Sequence, residues 1–380
     1  MTGPLQGMRV VEVAALGPAP FCGMVLADLG AEVVRVDRAD AVTGGHTSST
    51  RNDLMGRGKR SIGVDLKHQD GVSVVLRLVE GADALIEGFR PGVTERLGIG
   101  PASCLARNPA LVYGRMTGWG QDGPLSGRAG HDIDYIALSG VLAAIGPEDR
   151  PLPPVNLIGD FGGGGMFLAV GLLAAVLHAR ETGVGQVVDA AMIDGSALLT
   201  TAMHGHIAEG WWTAGREANL LDGGAPFYSV YETADGGHVA VGALEPQFFA
   251  ALLEGLEIAP ESLPAQGDRE GWPAIKAALA SRFASRSRDE WAERFAGIDA
   301  CVAPVLDASA APHHPHNKDR EGFIEVDGVT QPAPGPRFSA TPVSRPSGPG
   351  FPGRDTDFVL ETLGYSETET SMLRRVGAVA

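Results

Sequence analysis

The stretch Arg128–Gly140, RAGHDIDYIALSG, holds the most suggestive group of ionisable side chains in the chain. His131 lies between Gly130 and Asp132, and Asp134 follows two residues later. An imidazole beside carboxylates can ligate a metal, form part of a hydrolytic triad, or transfer protons. The same residues can also simply begin a helix, because short polar side chains favour helix N-termini.

Metal binding and triad chemistry fit this stretch poorly. A metal site would need a second histidine at helical spacing, and none occurs near His131; His313, His314 and His316 are distant and interrupted by proline. The G-x-S-x-G motif is absent, and Ser196 lies in the different context DGSAL. We therefore predict no metal site. Proton transfer remains, with Asp160 as the second acid/base group.

Asp160 belongs to a glycine-rich stretch, NLIGDFGGGGMFLAV. It ends a strand-like run, four glycines follow, and an apolar helical pattern begins at Met166. This order predicts a loop that leads into a helix N-terminus, where free N–H groups favour developing negative charge. The alternative is a glycine-packed turn with Asp160 as the N-cap. It is not a P-loop, because no Gly-Lys-Ser/Thr follows the glycines.

Basic residues concentrate in residues 51–67, which contain five Lys or Arg against two Asp, whereas the whole chain carries a net charge of −16. With Arg90 and Arg96 they could form a cradle for a polyphosphate, or they could be a solvated charged face. Arg38, at the end of the second predicted strand, could face a ribose phosphate. The first βα turn, ALGPAP, lacks the G-x-G-x-x-G dinucleotide motif.

Composition restricts the partners of the protein. The chain has 380 residues, of which 44% are hydrophobic and 20% charged, as in ordinary globular proteins. A net charge of −16 repels polyanions, so nucleic acid and anionic membrane surfaces are not expected partners.

Three features of the sequence indicate the cellular compartment of the protein. They are three isolated cysteines, the absence of a signal-peptide pattern, and the short apolar run Met166–Ala179. The run is shorter than the roughly 20 residues that span a bilayer, so we expect a buried helix. Cysteines without a C-x-x-C pair are typical of a reducing compartment, and we expect a cytoplasmic protein.

Strand and helix patterns alternate from the first residues. MRVVEVA and EVVRVDR read as strands around the helix FCGMVLADLGA, and SIGVDL, DALIEGF and ALVYGRMTGWG follow with helices between them. This rhythm predicts an α/β protein: a Rossmann-like large domain with a parallel sheet, plus a smaller α+β domain. Within the smaller domain, FYSVYETADGGHVAVGAL predicts a hairpin around Asp235–Gly237.

The predicted domain boundaries follow from changes in the order and type of the predicted strands and helices. Residues 1–195 would form the large domain, 196–221 a helical linker, and 222–315 the small α+β domain. Residues 316–380 would be a proline- and glycine-rich return segment that completes the large domain.

Four long motifs carry a family resemblance: MRVVEVAALGPAPFCGMVLADLGAEVVRVDR, LIEGFRPGVTERLGIGP, GRMTGWGQDGPLSGRAGHDIDYIALSG and PVNLIGDFGGGGMFLAVGLLAAV. Together they resemble CoA-transferase family III, the CaiB/BaiF group. Within that family the similarity is greatest to the α-methylacyl-CoA racemases, and it extends over nearly the whole chain.

The resemblance implies an interlocked homodimer with its active site between subunits, and a 2-methylacyl-CoA substrate whose CoA is not a separate cofactor. The histidine and aspartate bases of the racemases match His131 and Asp160. A supporting glutamate of the other subunit's small domain matches Glu245. The CoA contacts match Arg38, Val64, Asp65, Leu66, Lys67, Gly88, Phe89, Arg90, Arg96, Gly130, His131, Asp132, Ile133, Asp134 and Tyr135.

The implied reaction is interconversion of (R)- and (S)-2-methylacyl-CoA by 1,1-proton transfer through an enolate. Two bases on opposite faces of the α-carbon would remove and return the proton, and the backbone N–H of Asp132 would stabilise the enolate. A single base would need the substrate to swivel between two poses. The alternatives are a CoA-transferase in which Asp160 is the nucleophile, and a non-catalytic CoA-binding protein.

Overall fold

Short runs of β-branched residues form the central sheet in the computed structural model, which describes residues 2–42 and 48–380. The first part of the chain contains strands β1 Arg9–Val13, β2 Glu32–Arg38, β3 Arg60–Val64, β4 Ala84–Glu87, β5 Val112–Thr117 and β6 Gln186–Ala191. Its helices are α1 Pro18–Asp28, α2 Ser48–Arg51, α3 Gln69–Glu80, α4 Val93–Arg96, α5 Pro101–Arg107, α6 Asp132–Leu138, α7 Phe167–Thr182 and α8 Met192–Leu199.

The six strands are parallel and lie in the order β3-β2-β1-β4-β5-β6. This confirms the predicted α/β fold with a parallel sheet. The strand order reverses between β1 and β4, and in such sheets ligands bind in the crevice at the carboxyl ends of these strands. One strand was missed: β6 was assigned to a connection between helices, although it pairs with β5 from Gln186 to Ala191.

The helices cover both faces of the sheet. On one face Leu26 of α1 and Leu168 and Leu172 of α7 belong to one buried apolar cluster. On the other face Val75 of α3 packs in a second cluster with Ile62 of β3. Both faces of the inner strands β1, β4 and β5 are therefore buried, which is why their sequences read as continuous apolar runs.

Several charged side chains are buried in the interior as ion pairs, and two of these pairs involve residues of the basic stretch 51–67. Lys59 donates to Glu12 over 2.6 Å and to the carbonyl of Pro20, and Arg57 pairs with Asp28 over 2.5 Å. The prediction of one basic cradle over residues 51–67 is therefore wrong for Arg57 and Lys59. Their side chains are buried and neutralise strand and helix carboxylates, because an unpaired charge there would be costly.

The middle of the chain forms a second compact unit, comprising residues 140–154 and 200–315. It contains helices α9 Thr201–Ala208, α10 Pro246–Leu256, α11 Trp272–Phe283 and α12 Arg288–Phe295, and strands β7 Tyr228–Glu232, β8 His238–Gly242 and β9 Val302–Pro304. The three strands are antiparallel, and the predicted hairpin is confirmed by the pairing of β7 with β8 around Gly236, whose φ is 75°. Residues 140–154, inside the predicted range 1–195, group with this unit; the predicted boundaries otherwise stay predictions.

The last part of the chain returns to the first unit, which comprises residues 1–139, 155–199 and 316–380. It contains α13 Pro315–Asp319, β10 Phe323–Val326, β11 Val329–Pro332, α14 Thr356–Thr362 and α15 Glu367–Arg375. Leu360 and Leu373 join the apolar cluster around β3, and Val379 bridges to Val64. The β10–β11 hairpin was not predicted within this segment. Short 3-10 turns occur at Ala39–Ala41, Leu54–Gly56, Leu142–Ala144, Pro260–Ser262, Arg269–Gly271 and Ala311–His313.

One helical stretch, Leu157–Thr182, is long and apolar enough by length and composition to cross a membrane; it has 26 residues, and an 18-residue window within it has a mean hydropathy of 1.7. The helical stretch is longer than the apolar run Met166–Ala179 seen in the sequence, because the helical conformation already begins at Leu157, before the four glycines. Its α7 part buries Leu168, Leu172 and Val176 against the sheet, and core helices of this kind commonly meet the same criteria.

We expect Lys59→Met to lower the free energy of unfolding by about 3–5 kcal/mol, because Glu12 would remain buried without its partner. Burial raises the pKa of Glu12, and Lys59 opposes that rise. Without Lys59, the folded chain binds a proton at Glu12 more readily than the unfolded chain, so the variant loses stability as pH rises. Urea unfolding should show a larger loss at about pH 8 than at about pH 5. An equal loss for the exposed Lys318→Met would contradict this explanation.

Candidate active site

A cavity of about 500 Å³ opens at the carboxyl ends of β1, β2 and β3. Its predicted CoA-binding members are Arg38, Val64, Asp65, Leu66, Lys67 and Phe89. Gly377, from the return segment, completes the wall. The cavity lies at the carboxyl edge of the sheet and extends to Phe89, which follows β4, so it reaches the point where the strand order reverses and a nucleotide-bearing ligand is expected.

A neighbouring cavity of about 250 Å³ contains His131. Phe89 lines both cavities, and Gly88, Arg90, Gly130 and Tyr135 line this one. Apolar side chains of Leu16, Met116, Trp119 and Met192 also contribute. The structure thus brings ten of the predicted CoA contacts, together with His131 itself, into two adjoining cavities.

His131 immediately precedes α6 and acts as its N-cap residue with extended backbone angles. Its backbone N–H donates to the carboxylate of Asp134 over 2.9 Å, and its side chain is exposed. The helix-start interpretation and the functional one are therefore compatible: the turn fixes the backbone of His131, and its exposed side chain lines the cavity.

Asp160 does not end a strand, and it is not an N-cap. It lies in a wide, π-type helical segment, Leu157–Met166, that continues into α7. The strand prediction was wrong because the four glycines disfavour helix by propensity, and here packing overrides that preference. Its carboxylate accepts a hydrogen bond of 2.9 Å from the amide of Asn156, one turn earlier.

Asp132 connects the two candidate bases. It is the first residue of α6, next to His131, and its side-chain Oδ1 accepts the backbone N–H of Asp160 over 2.7 Å. A Cβ at Gly159 would come within 2.4 Å of that oxygen, so only glycine allows this approach. Burial raises the pKa of the Asp132 carboxyl and the charge of Asp160 adds to the rise, whereas hydrogen bonds from the backbone of Asp160 and Gly159 oppose it.

The glycines after Asp160 let the wide helix lie directly on its neighbours. A Cβ at Gly163 would come within 2.6 Å of the backbone nitrogen of Ser196 in α8, and one at Gly165 within 2.6 Å of the Phe21 ring in α1. Gly17, which precedes α1 with φ 70°, faces the carboxylate of Asp160: a Cβ there would lie 3.3 Å from Oδ2. Small residues on three elements therefore fix the position of Asp160.

Tyr135 forms the inner wall of the His131 cavity. Its ring makes an edge-on contact with Trp119, with 4.7 Å between centroids, and lies against Gly118. Burial raises the pKa of Tyr135 to about 12, and nearby carboxylates, Asp160 first among them, contribute in the same direction. Tyr135 is therefore a neutral hydrogen-bonding group at physiological pH.

Some predicted residues lie outside the two cavities. Arg96 is exposed, and Asp132, Ile133, Asp134 and Asp160 do not line either cavity wall. Arg38 reaches the rim, where it pairs with Asp40 through two hydrogen bonds. Glu245 belongs to the second unit, where it is exposed immediately before α10. The positions of these residues do not establish a function for any of them, so their roles stay predictions.

Sequence reasoning missed Asn156, Gly159 and Trp119. The N-x-x-x-D spacing of Asn156 and Asp160 could have signalled the hydrogen bond, had the segment been assigned as helix. Gly159 and Trp119 offered no such signal, because their importance lies in contacts with residues distant in the sequence.

Comparisons with known proteins agree with the motifs. The profile of CoA-transferase family III matches residues 5–356. A mouse and a human protein, each named alpha-methylacyl-CoA racemase, are 47% and 45% identical to the chain over 97% of it and 96% of their own lengths. A Chloroflexus aurantiacus protein named succinyl-CoA–D-citramalate CoA-transferase is 31% identical over 98% of the chain and 97% of its own length.

Solved structures show the same relationship. The crystal structure of a CAIB/BAIF family protein from Brucella suis superposes with a TM-score of 0.81 at 25% identity, covering 96% of this chain and all of that one (100%). The predicted resemblance is confirmed: the chain belongs to CoA-transferase family III.

Proposed function

We propose that this protein is a racemase of 2-methylacyl-CoA thioesters. The observation that carries the proposal is the near-full-length identity of 47% and 45% to two proteins named alpha-methylacyl-CoA racemase, against 31% to a named CoA-transferase. The site geometry supports it, because His131 lines a cavity that adjoins the crevice of the sheet and Asp132 links the backbones of His131 and Asp160.

The CoA part of the substrate would occupy the cavity at the ends of β1–β3. Lys67, and Arg38 at the rim, supply positive charge for phosphates, and Phe89 leads from this cavity to the next. The thioester would then reach the cavity of His131. The CoA is part of the substrate, and proton transfer needs no redox carrier, so we propose no separate cofactor.

The reaction needs one base to take the α-proton and a protonated group to return one on the other face. We assign these roles to His131 and Asp160. The amide of Asn156 holds the Asp160 carboxylate, and Gly17 leaves room beside it. The enolate oxygen would accept the backbone N–H of Asp132, which, as the first N–H of α6, has no acceptor within the helix.

We further propose an interlocked homodimer in which Glu245 of one subunit supports His131 of the other. The exposed apolar side chains of Met166, Val170 and Leu177 on one helix face, with Leu198 and Leu199 on α8, support a second copy as the occupant of that surface. The buried free thiols of Cys22 and Cys104 support a reducing compartment such as the cytoplasm.

The proposal is tested by incubating the protein with (R)-2-methylacyl-CoA in deuterated water. We expect deuterium at C2 and formation of the S epimer without any acyl acceptor. His131→Ala and Asp160→Ala should each lower the rate by at least about two orders of magnitude, the usual scale for an acid/base group. The control is His178→Ala, an exposed histidine on α7. Activity that appears only with a free carboxylic acid acceptor would establish the transferase instead, and binding without exchange would leave only a CoA-binding protein.

Mixing two inactive variants tests the shared site. If His131 and Glu245 act across subunits, random dimers of His131→Ala and Glu245→Ala contain some sites with both native residues, and about a quarter of the native activity should return. Mixing His131→Ala with Asp160→Ala, two changes within one large unit, should restore little, because each site then carries at least one substitution. Recovery in both mixtures, or in neither, would contradict the arrangement.

Asp132 is a positioning residue for Asp160 in this scheme. Asp132→Ala should lower kcat by about 10²-fold, the scale of a small misplacement of a reacting group, with a smaller change in KM. It should also lower the free energy of unfolding by about 1–3 kcal/mol, since a buried N–H loses its acceptor. Asp132→Asn, which keeps one acceptor oxygen, should recover part of kcat, and the exposed Asp122→Ala should behave as the parent. Loss of stability without loss of kcat would reduce Asp132 to a structural role.

A further inference from the structure

A separate cavity lies at the opposite edge of the six-stranded sheet, where the strands begin. It has a volume of about 230 Å³ and is enclosed by the first residues of β1, β2 and β3, the end of α3, and α14. We call it the amino-edge cavity. None of the residues around it belongs to the candidate active site, which occupies the carboxyl edge of the same strands.

The floor of the amino-edge cavity is apolar. Val11 of β1 and Val359 of α14 are buried, whereas Leu78 and Leu363 are partly buried and Phe358 is 46% exposed. Leu78, Leu363 and Phe358 therefore keep apolar surface in contact with water. A hydrocarbon chain that covers this surface would gain the ordinary free energy of apolar burial.

The rim is positively charged. Arg9, Arg60 and Arg77 line it together with one carboxylate, Glu32. Arg60 lies 4.1 Å above the ring of Phe358, and its Nε is 3.8 Å from Glu32, beyond hydrogen-bond distance. Three guanidinium groups therefore face one acid, on a chain whose overall charge is −16.

Aromatic rings orient two of these arginines, Arg60 and Arg77, and Arg9 lies beside the cavity wall. Arg77 stacks on Tyr365 at 4.4 Å, which orients its planar group without satisfying its N–H donors. A terminal nitrogen of Arg9 lies 3.3 Å from the position of a Cβ on Gly81, another wall residue. Pre-positioned guanidinium groups with donors to spare are the usual means of binding a carboxylate or phosphate.

We propose that the amino-edge cavity binds a monocarboxylate with a short hydrocarbon chain, the carboxylate between the arginines and the chain on the apolar floor. A polyphosphate would leave the apolar floor uncovered, whereas three arginines against Glu32 leave two positive charges in excess, enough to bind one carboxylate. The volume is just below the roughly 300 Å³ at which pockets for drug-sized ligands begin, so a chain of about six carbons suits it. The proposal is independent of the proposed racemase activity.

Calorimetric titration of the whole protein with hexanoate tests this site. We expect saturable binding of one hexanoate per chain, with acetate and 1-hexanol each binding at least about tenfold more weakly, because each lacks one of the two complementary parts. Arg9→Gln/Arg77→Gln should weaken hexanoate binding at least about tenfold. The matched control is Arg337→Gln, an exposed arginine outside the cavity, which should bind as the parent does.

Repeating the titration in excess CoA separates this site from the active site. Hexanoate affinity unchanged by CoA supports the amino-edge cavity, whereas displacement by CoA would place hexanoate at the carboxyl edge and overturn the proposal. Absence of binding, equal binding of 1-hexanol, or an unaltered affinity in a correctly folded Arg9→Gln/Arg77→Gln variant would overturn it as well. Because racemisation is not the readout, failure here leaves the proposed function untouched.

Discussion

The direct contact between the backbones of Gly163 and Gly195 determines where the functional groups of this protein can lie. A Cβ at Gly195 would come within 1.9 Å of the carbonyl oxygen of Gly163, a distance that no side chain tolerates. The wide helix can therefore lie on α8 only while both positions are glycine. Its other end then meets Asp132 and Gly17, which places the carboxylate of Asp160. Glycine here weakens the helix locally, and the packing it permits compensates for that loss.

The charged residues of the large unit serve two different purposes that look alike in sequence. Lys59 and Arg57 are buried against Glu12 and Asp28, while Lys67, a few residues later, lines the open cavity at the strand ends. What separates them is whether the side chain precedes or follows β3. Arg57 and Lys59, just before the strand, turn into the packed interior around α1, and Lys67, after it, emerges at the carboxyl edge. Local charge density alone carried no information about this difference.

The strands of the parallel sheet could be predicted because their buried residues form continuous apolar runs, as in β1 and β2. β6 escaped notice because it is an edge strand with only its last two residues buried. The wide helix was not predicted because four glycines disfavour a helix by propensity. Only their close contacts with α1 and α8 explain why the helix forms there. Of the candidate site, His131 and Asp160 were recognised by chemistry and resemblance. Asn156 and the carboxylate of Asp132 were not, because their roles depend on that unpredicted helix.

The division of the large unit into three stretches of chain has a consequence for its synthesis on the ribosome. The stretches 1–139 and 155–199 emerge first, and the whole of 200–315 is translated before 316–380 appears. Until then Ile62 and Val64 lack the cover that Leu360, Leu373 and Val379 later provide. A nascent chain therefore carries an incompletely covered apolar sheet face for the entire time that the second unit is being made, with only earlier helices such as α3 packed against it.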